Sequence, residues 1–164
     1  MTNDTARPNN QRDQTTKRDQ TTKQSNQPTQ VTTTMSDAKQ RGEAFLAENA
    51  KKDGIETTSS GLQYRVVEEG SGPTPSLRDT VRCHYAGTLI DGTEFDSSYR
   101  RGQPAEFPVS GVIAGWTEAL QMMPAGSKWE VFLPSEIAYG SSGAGGAIGP
   151  NETLVFTIEL IAIV

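Results

Sequence analysis

The sequence predicts an α+β fold: an antiparallel sheet wrapped around one short α-helix, preceded by a longer helix and a disordered N-terminal tail. Three observations predict it. Four segments after residue 61 carry strand-like patterns, with turn residues between them. One nine-residue stretch among them has helical spacing instead. The first 35 residues hold no aromatic side chain, and only Met1, Ala6, Val31 and Met35 are apolar. The chain therefore divides into a polar tail at 1–35, a helix at 36–54 and a folded domain at 61–164.

The tail comes first. A segment so poor in apolar groups cannot bury enough surface to offset the entropy of ordering it. It contains a tandem duplication, Arg12-Asp-Gln-Thr-Thr-Lys17 followed at once by Arg18-Asp-Gln-Thr-Thr-Lys23. Two copies of a six-residue polar unit are too short to build a solenoid. The stretch reads as a disordered tail lengthened by duplication, with partner docking or phosphorylation of its threonines as the alternative.

From Ser36 to Gly54 the texture changes to that of one helix. Ser36 suits the N-cap, Asp37 the positive end, Lys51 and Lys52 the negative end, and Gly54 the left-handed closing position. Its apolar residues, Ala38, Phe45, Leu46 and Ala50, form only a narrow stripe, fit to lean on the domain or to pair weakly with another copy.

The strands follow. Leu62–Glu68 alternates in part. Thr80–Ala86 alternates cleanly, with Val81, Cys83 and Tyr85 on one face and Arg82, His84 and Ala86 on the other. Lys128–Pro134 is a third strand. Thr153–Val164 is the last and longest, and sets Leu154, Phe156, Ile158 and Leu160 on one face. Gly115–Met123 is the short helix, because Trp116, Leu120 and Met123 fall together at a 3.6-residue period. Asp91-Gly92 marks a hairpin turn, Gly70–Pro73 a loop, and Pro124-Ala-Gly126 the end of the helix.

Charge and rare residues narrow the function. The net charge is −5, but the first 35 residues carry +2, which leaves −7 on the rest. An acidic folded part argues against nucleic acid or an anionic membrane as the main partner. One cysteine, Cys83, and one histidine, His84, supply neither a disulfide nor a metal cluster. The N-terminus lacks the apolar stretch of a secretory signal, and no run of 18 apolar residues occurs, so the expectation is a cytoplasmic protein with no cofactor. The glycine-rich stretch Gly140–Gly149 fails as a phosphate loop: after Gly143 and Gly145, Ile148 occupies the place of the required glycine. A hydrolase triad would have to use His84, which reads as a structural or surface residue on its strand, and Cys83 on the opposite face reads as core.

Five ordered blocks carry a resemblance. They are Val81-Arg-Cys-His-Tyr-Ala-Gly87, Asp91-Gly-Thr-Glu-Phe-Asp-Ser-Ser98, Val112-Ile-Ala-Gly-Trp-Thr-Glu-Ala-Leu120, Pro134-Ser-Glu-Ile-Ala-Tyr-Gly140 and Gly149-Pro-Asn-Glu-Thr-Leu-Val-Phe-Thr-Ile-Glu-Leu160. From about Gly61 to Val164 the chain resembles the FKBP-type peptidyl-prolyl cis/trans isomerases. Gly42-Glu-Ala-Phe-Leu-Ala-Glu-Asn49, Ser60-Gly-Leu-Gln-Tyr64 and Ser98-Tyr-Arg-Arg-Gly-Gln-Pro104 are in the style of the bacterial macrophage infectivity potentiator branch. A polar tail stands where that branch carries a helical dimerisation module, so a monomer is expected.

The resemblance implies an isomerase that accelerates rotation of Xaa-Pro bonds in polypeptides and assists folding, with macrolide inhibitors as further ligands. It implies Tyr85, Asp96 and Tyr139 as catalytic residues. Phe95, Val112, Ile113, Trp116, Ile148 and Phe156 would bind substrate, with Trp116 as the floor. Asp96 would bond Tyr85 and pair with Arg101; whether it meets a substrate carbonyl or only orients Tyr85 stays open at this level. Ala105, Ala144 and Ala147 stand where the family often has larger groups, which implies a shallower rim.

Overall fold

The computed structural model describes residues 34–164, so all but the end of the expected tail lies outside the described residues. Among them, seven strands form one antiparallel sheet: β1 (Glu56–Thr57), β2 (Gln63–Glu68), β3 (Thr80–Leu89), β4 (Glu94–Ser97), β5 (Ala105–Pro108), β6 (Lys128–Leu133) and β7 (Leu154–Ile163). They lie in the order β1-β2-β6-β7-β3-β4, and β5 also pairs with β3. The α+β architecture expected from the sequence is the one observed.

The long strands β3 and β7 make the centre of the sheet because their alternation is strictest. Val81, Cys83 and Tyr85 of β3 face inward, as do Leu154, Phe156, Ile158 and Leu160 of β7. The two strands run antiparallel over nearly their whole length, from Val81 opposite Ile163 to Leu89 opposite Leu154. The other edge of β3 is shared. Thr80–Cys83 pairs with β5, and Ala86–Thr88 pairs with β4. Between them the chain makes one helical turn, α2 (Ser98–Arg101), capped by Ser97 Oγ on the Arg100 amide and closed by Gly102 at φ 76°. His84 and Tyr85 therefore have no strand beside them on that edge.

The short helix α3 (Ala114–Leu120) crosses the concave face and buries Trp116, Ala119 and Leu120. It stops at Leu120, three residues before the expected end. Ahead of Pro124 the chain tightens into i−3 hydrogen bonds, from Met122 to Ala119 and from Met123 to Leu120, which still bury Met123. Thr117 Oγ1 donates to the Val109 carbonyl at 2.7 Å and ties the helix to the turn before it.

The first helix, α1, spans Thr34–Asn49. It differs from the 36–54 reading at both ends. Ser36 sits inside it, since a run of Thr and Ser offers several equivalent starts. At the far end, i−3 bonds from Lys51 and Lys52 unwind it before Gly54, whose φ of 82° makes the turn. The helix leans on the domain, through polar and small residues and one aromatic contact. Gly42 lies so close to β7's approach that a Cβ there would sit 2.2 Å from Thr153 Oγ1. Buried Asn49 donates to Gln63 Oε1 at 2.8 Å, and Gln63 Nε2 donates to the Leu46 carbonyl at 2.9 Å. Phe45 meets Phe132 with ring centroids 6.1 Å apart. Removing the amide of Asn49 leaves the buried Gln63 carbonyl oxygen without its donor, which typically costs about 1–3 kcal/mol. Asn49→Ala is therefore expected to lower the urea midpoint clearly; an unchanged midpoint would show that the helix does not depend on this pair.

Candidate active site

The inward faces of β3, β4, β5 and β7 and the start of α3 enclose an open hollow of about 470 Å³. Trp116 is its floor. Its indole is only 4% exposed and meets three rings edge-on: Tyr85 at 5.3 Å and 84°, Phe107 at 5.3 Å and 73°, and Phe156 at 5.4 Å and 89°. Phe95 stands perpendicular to Phe156 at 5.6 Å. Edge-to-face contacts of this kind are favourable beyond the area they bury, and each ring fixes the tilt of the next. Gly87 makes room for the last pair, since a Cβ there would lie 2.6 Å from both Phe95 and Phe156.

One wall of the hollow is polar. The Tyr85 hydroxyl donates to Asp96 Oδ2 at 2.6 Å and accepts from Arg101 Nη2 at 2.9 Å. Arg101 Nη1 donates to the other carboxylate oxygen, and its guanidinium lies 5.6 Å from the Tyr85 ring centroid. The three groups close a triangle. Burial pushes the Tyr85 phenol above its usual range, and the bond to Asp96 adds to that. Burial also opposes charge on Asp96, but the hydrogen bonds from Tyr85 and Arg101 and the positive charge outweigh it, so the carboxyl titrates below the ordinary 3.8. The sign follows. A carboxyl depressed by folding contributes stability that is present above its unfolded pKa and lost as pH falls through the lower folded value. The difference in urea midpoint between wild type and Asp96→Ala is expected at pH 7 and should shrink towards pH 2. A difference independent of pH would contradict the triangle.

The rim combines loop and helix-start residues. Val112 and Ile113 precede α3, and Ile113 is its N-cap in extended conformation, so its amide is not used by the helix. Tyr139 projects from the turn before Gly140 and is 37% exposed. Its hydroxyl has no side-chain partner among the described residues, and the residue lines the hollow.

Tyr85, Phe95, Asp96, Val112, Ile113, Trp116, Tyr139 and Phe156 thus all line one hollow. Ile148 does not. Its amide and carbonyl bond back to Ala144, which turns the side chain into the core, where it is 7% exposed. Ala105, Ala144 and Ala147 do not line the hollow either. Two lining residues escaped the sequence reading, Phe107 and Gly111. Phe107 lies opposite Val81 in the sheet and so shares its inward face; the alternation of Ala105 and Phe107 was the available signal. His84 is a structural residue on the outer face, stacked on Tyr99 at 4.6 Å. Cys83 is fully buried, and desolvation raises its thiol to about 12. Among the described residues no cluster of His, Cys, Asp or Glu is placed to hold a metal ion.

A family model described as FKBP-type peptidyl-prolyl cis-trans isomerase matches residues 72–161. A second, the domain amino terminal to such isomerases, matches residues 2–66 and so extends over the stretch read as a tail. The FKBP-type 22 kDa peptidyl-prolyl cis-trans isomerase of Escherichia coli (strain K12) is 60% identical over 122 residues, 74% of this chain and 59% of that protein. The outer membrane protein MIP of Legionella longbeachae is 58% identical over 125 residues, 76% of this chain and 54% of the relative. This chain therefore spans between half and three fifths of those two relatives. Among solved structures, FkpA from Escherichia coli superposes with a TM-score of 0.78 at 46% identity, covering 82% of this chain and 62% of that one. A peptidyl-prolyl cis-trans isomerase from Pseudomonas syringae superposes at 0.73 and 39% identity, covering 85% and 98%. The chain belongs to the FKBP-type peptidyl-prolyl cis-trans isomerase family, in its Mip-like branch.

Proposed function

We propose that this FKBP-family chain accelerates cis/trans rotation of Xaa-Pro bonds in polypeptides and thereby assists their folding. One observation carries the reading: an apolar hollow floored by Trp116, with a hydrogen-bonded triangle on one wall and the Tyr139 phenol at the rim.

The barrier to rotating a peptide bond is about 18–20 kcal/mol, because the twisted state loses amide resonance. Before proline the two planar states differ by only about 0.5–1 kcal/mol, so the reaction needs neither a driving force nor a covalent step. Catalysis then consists of favouring the twisted state over both planar ones. A twisted imide carries less charge on its carbonyl and has a pyramidal nitrogen, so it suits an apolar enclosure better than a planar amide does. In this proposal Trp116, Phe156, Phe95, Phe107 and Tyr85 hold the proline ring out of water. The Ile113 amide and the Tyr139 hydroxyl hold substrate carbonyls on either side of the turning bond. Asp96, with both carboxylate oxygens engaged by Tyr85 and Arg101, orients Tyr85 rather than receiving substrate.

A proline-containing tetrapeptide followed by NMR exchange tests this. Acceleration of the cis/trans exchange is expected at catalytic protein concentrations. Binding of the peptide with no acceleration would replace the isomerase by a proline-recognition module.

Further proposals follow from the same reading. Macrolide inhibitors would compete for the hollow, checked by displacement of the peptide. Sedimentation velocity of the full chain is expected to show a monomer, and a concentration-dependent dimer would overturn it. Chaperone action on unfolded chains would appear as suppressed aggregation of a refolding protein. A cytoplasmic location is tested by cell fractionation, with recovery in the envelope as the contrary result.

A further inference from the structure

Where β3 lacks a neighbouring strand, at His84 and Tyr85, one side chain takes the strand's place. Ser98 is fully buried, and its hydroxyl accepts the Tyr85 amide at 2.7 Å and donates to the Tyr85 carbonyl at 3.2 Å. Both backbone groups that a paired strand would satisfy are held by this one oxygen. The same hydroxyl lies 2.8 Å from His84 Nδ1. A serine has one proton to give. With that proton on the Tyr85 carbonyl, the proton in the contact with His84 belongs to Nδ1, which fixes the imidazole as a donor and keeps the hydroxyl from rotating away.

The neighbours of Ser98 act on the same tyrosine. Asp96, two residues earlier, accepts the phenol; Ser97 caps the turn that carries Arg101, which donates to that phenol. Three consecutive residues thus address the hydroxyl, its cationic partner and the backbone of Tyr85.

We propose that Ser98, locked by His84 from the outer face of the sheet, is a positioning residue that acts through Tyr85 on the isomerase site. It never touches substrate: its effect is to set the backbone from which the Tyr85 hydroxyl reaches Asp96 and the hollow. This inference rests on the isomerase reading above.

The test is a double-mutant cycle in kcat/KM for a proline peptide, using Ser98→Ala and Tyr85→Phe on the full chain. Loss of the hydrogen bonds that place Tyr85 is expected to lower kcat/KM by about fivefold to tenfold in the wild-type background. In the Tyr85→Phe background, where no phenol is left to place, the same change should cost less than about twofold. Equal losses in both backgrounds would mean that Ser98 supports only the fold, and would overturn the inference. If Ser98→Ala does not fold, His84→Phe keeps the ring stacked on Tyr99 and removes the Nδ1 donor without opening the core. It should then lower kcat/KM by about twofold to threefold only when the phenol is present; no loss, or the same loss in Tyr85→Phe, counts against the proposal. A Tyr85→Phe variant as active as wild type would instead sink the role of Tyr85 itself. Heteronuclear NMR of His84 supplies an independent readout: the neutral ring should carry its proton on Nδ1, and a ring protonated on Nε2 alone contradicts the lock.

Discussion

Asp96→Ala combined with Tyr139→Phe is expected to lower kcat/KM by about a hundredfold while leaving a folded protein, on the order of tenfold for each lost polar anchor. The two changes remove different things. The first takes away the acceptor that holds the Tyr85 phenol and frees Arg101 from its partner. The second removes a hydroxyl that has no side-chain partner among the described residues and so has little to lose in stability. Neither residue is in the buried core, and the ring cage around Trp116 should persist. Near-UV circular dichroism of the double variant should match wild type. Activity equal to wild type would show that the polar wall and the rim phenol play no part.

The second large effect falls on stability. Trp116 is the one ring that touches Tyr85, Phe107 and Phe156 together, and it joins α3 to the sheet. Trp116→Ala opens a cavity under the hollow and removes three edge-to-face contacts, with an expected cost of about 3–5 kcal/mol. That is a large share of the ~5–15 kcal/mol by which domains are normally stable. The urea midpoint should fall steeply. A loss near 1 kcal/mol would mean that the rings repack around the gap and that Trp116 is not the floor on which the hollow depends.

The sheet was legible where its strands are long and half-buried. In β3 and β7 a period of two separates inward from outward residues, and the structure follows it residue by residue. Helix α3 was legible from Trp116, Leu120 and Met123, although its last turn was not, because Pro124 decides how that turn closes. The site residues came from the resemblance rather than from pattern. Composition alone would have left Trp116, Tyr85 and Phe156 as core, which by burial they also are.

What escaped the sequence depends on contacts across the chain. Phe107 belongs to a four-residue strand ending in proline, too short for its alternation with Ala105 to stand out, and its register against Val81 turns it inward. Ile148 looked like a lid on a glycine-rich loop, but the paired bonds to Ala144 fold it under. The docking of α1 gave only a narrow apolar stripe, since apart from Phe45 against Phe132 it rests on Gly42 and on the amides of Asn49 and Gln63. Ser98 reads as an ordinary polar turn residue until the gap beside β3 is seen.

The central claim is that the hollow over Trp116 is where Xaa-Pro bonds turn. A proline-peptide relaxation assay on the full chain, titrated with a macrolide competitor, tests it most directly. The account predicts acceleration that disappears in proportion to competitor bound, reaching the uncatalysed rate at saturation. Acceleration that survives a saturated hollow would contradict it.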